Sequence, residues 1–108
     1  MARETKAKIE LMTDPREAVG GAMGVYTDSW TSMGFEAEEN VRSAVFQPYQ
    51  VNAELMSLAA PDAVFMHCLP AHRGREVTPE ILDGPRSLVL EQSENRMHVQ
   101  KAILHTLF

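Results

Sequence analysis

The sequence has one cysteine, Cys68, in 108 residues. No disulfide can form within it, which fits a reducing cytoplasm. It has no CxxC pair and no HExxH motif, so nothing points to zinc, and neither a metal nor another cofactor is expected. No apolar stretch approaches the length that spans a bilayer. Met1-Ala2-Arg3-Glu4-Thr5-Lys6 leads into no apolar run of the kind that marks a signal peptide. Positive charge is not in excess either: a net charge of -5 gives no reason to expect nucleic acid or an anionic membrane as partner. Internal repeats and low-complexity segments are missing. What remains is one small domain with a modest core, and the 44% apolar and 23% charged fractions are ordinary for a folded protein.

The chain reads as alternating strands and helices. Lys8-Ile9-Glu10-Leu11-Met12 alternates polar and apolar residues and predicts a half-buried strand near a sheet edge. Asp14 and Pro15 suit the cap and first position of a short helix that Gly20-Gly21 ends. Ala22 to Thr27 is the second predicted strand, and Asp28 to Phe35 a loop. A longer helix is predicted from about Glu36 to Phe46, broken by Pro48. Asn52 caps a further helix that carries Leu55, Met56 and Leu58 and stops before Pro61. Ala63-Val64-Phe65-Met66 is the third strand and Pro70 to Thr78 a polar loop. Thr78-Pro79-Glu80 opens a short helix, and Ser87-Leu88-Val89-Leu90 is the fourth strand. Ser93 caps a last helix, with Glu94 at its positive end and Val99, Ile103 and Leu107 on a stripe assigned to packing on the sheet. This order predicts an α/β, Rossmann-like fold: a mostly parallel sheet of about four strands with helices on both faces, a partial doubly wound domain. An exposed edge in so small a sheet would invite pairing with another chain.

Three predicted strand ends carry polar residues, and in a parallel sheet all three face one crevice. The second ends in Tyr26-Thr27-Asp28-Ser29-Trp30-Thr31-Ser32-Met33-Gly34. The third ends in His67-Cys68-Leu69-Pro70, where Leu69–Pro70 is a candidate cis peptide. The fourth leads into Glu94-Asn95-Arg96. A carboxylate, a thiol and a guanidinium in one cleft suit a zwitterion such as an amino acid, with Arg96 free to fork onto an anion or a carbonyl oxygen. Each residue also has a duller reading. Asp28 serves equally as a turn cap, Ser32-Met33-Gly34 as plain loop, Cys68 as a small buried hydrophobe, and Arg96 as a surface residue paired with Glu94 or Gln100. His67, His72, His98 and His105 are too scattered to define a metal site. Trp30 reads as a packing anchor for its loop.

Taken together, Asp28-Ser29-Trp30-Thr31-Ser32-Met33-Gly34, His67-Cys68-Leu69-Pro70 and Glu94-Asn95-Arg96 resemble ornithine carbamoyltransferase in order and spacing. The resemblance runs from about Lys8 to Leu107 and covers the C-terminal part of that family's ornithine-binding domain. It implies transfer of a carbamoyl group from carbamoyl phosphate to the δ-amine of ornithine, giving citrulline and phosphate, a step of arginine biosynthesis and the urea cycle. By the same resemblance, Asp28, Ser32 and Met33 hold the amino-acid end of ornithine on a loop that swings over it. Cys68 and Leu69 lie where the δ-amine meets the carbamoyl group, with the following Leu-Pro bond cis, and Arg96 binds the carbamoyl oxygen. Cys68 and Arg96 are therefore the expected catalytic residues, and a thiolate at Cys68 would place or deprotonate the amine. Orientation and stabilisation of the developing oxyanion would dominate such a reaction.

The family's carbamoyl-phosphate motifs, S-T-R-T and H-P-x-Q, do not occur here. The resemblance also places an ornithine-contacting asparagine, and strands between the first and second of this chain, outside it. Residues 1–108 are therefore expected to be a single partial domain, an excised or truncated piece that is inactive alone. Its sheet is expected to be repaired, either by direct pairing of the first two strands or by a second copy that pairs or swaps elements, giving a homodimer. The alternatives are a structural fragment that folds and self-associates without ligand, and a stand-alone module that binds a basic amino acid.

Overall fold

The structure, a computed structural model, describes Thr5, residues 7–31 and residues 39–108. Helix α1 (Pro15–Val19) starts as the sequence dictates: the Asp14 carboxylate accepts the Arg16 N–H at 2.8 Å and Pro15 takes the first turn. Gly20 and Gly21 stop it. Gly21 has φ +68°, a backbone that glycine enters freely. Strand β1 (Gly24–Thr27) follows, then helix α2 (Glu39–Phe46), which Pro48 converts into a 3₁₀ turn over Gln47–Tyr49. Trp30 does anchor its loop, stacking on Phe46 with ring centroids 6.4 Å apart. Helix α3 (Ala53–Ser57) is capped by Asn52, whose side chain accepts the Leu55 N–H at 2.9 Å. Strand β2 (Val64–His67), the short helix α4 (Pro79–Leu82) and the long helix α5 (Val89–Leu107) complete the order.

Strands β1 and β2 pair in parallel, with Gly24 opposite Val64 and Thr27 opposite His67. Along β2 every second residue is buried: Ala63, Phe65 and His67 face inward, while Val64 and Met66 are half-buried on the other side. Phe65 packs with Met56, Leu55, Val77 and Val89 in one core. The loop from Pro70 to Thr78 is tied down by a parallel bridge between Val51 and Val77, and by the Gln50 amide, which donates to the carbonyls of Gly74 and Arg75 at 3.1 and 2.7 Å. Among the described residues no helix is long and apolar enough to cross a membrane.

The mixed α/β order and the parallel pairing follow the sequence expectation, but the strand count does not. Residues 8–12 form no strand, and Leu11 is 97% exposed. Alternation makes a strand only where a neighbour completes the ladder, and none of the described residues forms a ladder with this segment. Direct pairing of the first two predicted strands is thereby overturned. The fourth predicted strand shrinks to one bridge, Ser87 opposite Phe65, because the chain turns helical at Val89. A four-residue apolar run does not distinguish strand from buried helix start. Ser93 consequently lies inside α5, not at its cap, and Glu94 sits beyond the first turn; Leu88 holds the cap position with no side-chain bond. The stripe Val99, Ile103 and Leu107 does not pack on the sheet; all three are at least half exposed. Thr78 occupies the cap of α4, but its hydroxyl makes no hydrogen bond. The expected helix residues 36–38 and the loop residues 32–35 lie outside the described residues.

Candidate functional site

The register of the sheet builds the site. Thr27 and His67 are partners at the last rung, so the next residue of each strand, Asp28 and Cys68, emerge side by side. The Cys68 thiol donates to Asp28 Oδ1 at 2.9 Å. The same oxygen accepts the Ser29 N–H at 2.7 Å, and the Ser29 hydroxyl donates to the Pro70 carbonyl at 2.9 Å. Two short segments, distant in sequence, are thus stitched together just past the carboxyl ends of their strands, where ligands of α/β sheets bind.

This stitching sets the charges. The thiol hydrogen bond, and then the Ser29 N–H, hold the Asp28 carboxyl below its usual range. The Asp28 carboxylate, as acceptor of the thiol proton, pushes Cys68 upward, and burial pushes it further the same way. Cys68 is therefore a protonated donor at neutral pH. The thiolate expected from the resemblance is not the form this arrangement favours, because a negative charge already sits 2.9 Å away.

The turn after Cys68 is unusual in its backbone. The Leu69–Pro70 bond is cis, as expected, and Leu69 has φ +57°. A non-glycine residue there costs about 1 kcal/mol or more, so its surroundings must hold it. One such hold is visible: the Leu69 N–H donates to His67 Nδ1 at 2.8 Å.

Arg96 joins the site from α5. A groove of about 500 Å³ runs between the end of β2 and this helix, lined by Tyr26, His67, Cys68, Gln92, Asn95 and Arg96 among others. The surface ion pair that would have explained Arg96 is not formed with Glu94, which faces His98 at 3.3 Å. Asp28 and Cys68 are thus in contact, Leu69 follows Cys68 in the chain, and Arg96 lines the same groove as Cys68. Ser32 and Met33 lie outside the described residues.

Two residues of this region were not legible beforehand. The Gln92 side chain accepts the His67 N–H at 3.1 Å, at the edge of β2 where a further strand would bond. Glu76 is fully buried behind the turn, beside His67 and His72. No motif marks either one; Glu76 stands in a run of polar loop residues, and only the buried Val77 beside it hints that this loop turns inward.

Residues 1–107 match the family described as aspartate/ornithine carbamoyltransferase, Asp/Orn binding domain. The chain is similar to the ornithine carbamoyltransferase of Methanothermobacter thermautotrophicus, with 61% identity over 107 residues, 99% of this chain and 36% of that protein. It is also similar to two solved structures. The ornithine carbamoyltransferase of Pyrococcus furiosus superposes with a TM-score of 0.89 at 53% identity, over 95% of this chain and 33% of that one. The anabolic enzyme of Campylobacter jejuni superposes with a TM-score of 0.90 at 39% identity, over 98% and 35%. The chain thus spans about a third of the length of the relatives it matches. On the match of residues 1–107 and these identities, the chain belongs to the aspartate/ornithine carbamoyltransferase family.

Proposed function

We propose that residues 1–108 are a single partial domain forming the ornithine-binding half of a carbamoyltransferase. The reaction is carbamoyl transfer from carbamoyl phosphate to the δ-amine of ornithine, giving citrulline and phosphate in arginine biosynthesis. The observation that carries this reading is the Asp28–Cys68 pair, whose cysteine lines the strand-end groove together with Arg96. A carboxylate held ionised binds an ammonium. Asp28, with Ser32 and Met33, takes the amino-acid end of ornithine. Cys68 and Leu69 meet the δ-amine and the carbamoyl group, and the Arg96 guanidinium polarises the carbamoyl oxygen. Cys68 acts here as a placed hydrogen-bond group, since its neighbour disfavours the thiolate.

These residues do no turnover by themselves in this reading, because S-T-R-T and H-P-x-Q do not occur among them. The working environment is the cytoplasm, and no nucleic acid or membrane takes part. A second reading, a piece that folds and self-associates without ligand, is favoured by the outer edge of β1, beside an apolar groove lined by Ala18, Val19, Val25 and Leu55. A homodimer that extends or swaps the sheet would cover it.

Titration of the ¹⁵N-labelled chain with ornithine tests the first reading. Amide shifts are expected at Asp28, Cys68 and Leu69 at millimolar ligand, and none with glutamate. If ornithine moves nothing there, and light scattering gives a stable dimer, the self-associating reading replaces it.

A further inference from the structure

Glu76 has no exposed surface, and the site as described makes no use of it. A carboxylate is expensive to bury unless hydrogen bonds compensate it. Its Oε1 accepts the His72 N–H at 2.6 Å, and stands 3.3 Å from His67 Nε2 and 3.5 Å from His72 Nδ1. Neither its Oε2 nor His67 Nε2 has a hydrogen-bond partner among the described residues, so the approach of Oε1 to Nε2 is a close charge contact and not an aligned hydrogen bond. His67, 1% exposed, is the residue that links this carboxylate to the turn. The imidazole has two nitrogens with separate duties. Nδ1 lies 2.8 Å from the Leu69 nitrogen, and a backbone N–H only donates, so Nδ1 presents its lone pair. In the neutral ring the proton is then on Nε2, the nitrogen that faces Glu76. A ring protonated at both nitrogens would set one N–H against the Leu69 N–H.

We propose that Glu76 is a positioning residue for the strand-end turn: it fixes the proton of His67 on Nε2, which leaves the Nδ1 lone pair to hold Leu69 in its left-handed conformation. Leu69 in turn sets the direction in which Cys68 and the chain after it face the groove. The geometry opposes a different role, a proton relay from Cys68 through His67 to Glu76. Nδ1 is 3.9 Å from the Cys68 sulfur and already occupied by Leu69, while the thiol donates to Asp28. The importance for ligand binding rests on the proposed ornithine reading; the conformational claim does not.

The test reads the imidazole directly. In the chain labelled with ¹⁵N-histidine, the His67 signals are expected to show a protonated Nε2 and a lone-pair Nδ1. Glu76→Met fills the same space without an acceptor. It is expected to lose the single tautomer and to speed Leu69 amide exchange by about tenfold or more, as loss of the charge contact that favours this tautomer implies. Glu76→Gln keeps an acceptor oxygen and is expected to retain both the tautomer and the slow exchange. A wild-type ring protonated on Nδ1 overturns the proposal, and so does a folded Glu76→Met chain with His67 and Leu69 unchanged. If Glu76→Met does not fold, Glu76→Gln decides: loss of the tautomer there overturns the proposal. Ornithine is absent throughout, so failure here leaves the ornithine reading intact, and failure of ornithine to bind leaves this result standing.

Discussion

The end of β2 and the outer half of α5 were the two regions the sequence marked most strongly, one by its motif and one by its apolar stripe. They behave oppositely in the structure. At the end of β2, groups brought together by one parallel rung find partners within the chain: thiol with carboxylate, imidazole with amide, serine with the proline carbonyl. On α5, Val99, Ile103, Leu104 and Leu107 are all more than half exposed. A strand-end site is assembled by register, which needs only the two strands. An amphipathic helix shows only that one face seeks cover, not what supplies it.

The strongest way to break the contrast is through the core under the strand end. Phe65→Ala is expected to destabilise the chain by about 3–5 kcal/mol, because Phe65 is fully buried at the centre of β2. Urea unfolding followed by circular dichroism measures it; a loss below about 1 kcal/mol would show that β2 is not the centre of the fold.

A smaller effect probes the Asp28–Cys68 contact. Asp28→Asn is expected to speed alkylation of Cys68 by iodoacetamide at pH 8 several-fold, since the carboxylate that raises the thiol is removed. An unchanged rate would mean that the contact does not persist in solution. The wild-type pair also has a defined pH window. Asp28 is depressed when folded, so its contribution is present above the ordinary carboxylate range and is lost as pH falls through the depressed value. Cys68 is raised when folded, so its contribution is complete below the ordinary thiol value and is lost as pH climbs past it. Together they stabilise between about pH 4 and about pH 9.

The smallest effect is expected on α5. Ile103→Ser at low protein concentration should change stability by less than about 0.5 kcal/mol if the stripe is uncovered. A large loss that grows with concentration would show that a second copy already covers it.

What was legible beforehand is what short-range chemistry decides. Asp14-Pro15, Asn52 and Gly20-Gly21 bound their helices as read, and His67-Cys68-Leu69-Pro70 ends its strand with the cis bond expected. Asp28 and Cys68 were expected in one crevice, and the parallel register makes them a hydrogen-bonded pair. The misreadings share one cause. Residues 8–12 have a strand pattern without a ladder partner, and Ser87–Leu90 and the stripe on α5 depend on neighbours that local pattern does not name. Glu76 was hidden for the converse reason: a charged loop residue gives no sign that it will be buried, because its burial depends on a histidine nine positions away.

The edge of β2 carries one further implication. Phe65 makes both of its outward backbone bonds, to Arg86 and Leu88, but the next rung, at His67, is closed by the Gln92 side chain. A carboxamide thus stands where a peptide carbonyl from a longer strand would be. The boundary between sheet and helix at this margin is therefore exchangeable: with glutamine at this position, helix α5 begins early and no donor at the end of β2 is left bare, so evolution could lengthen or shorten the neighbouring strand here without first redesigning the strand that carries the site.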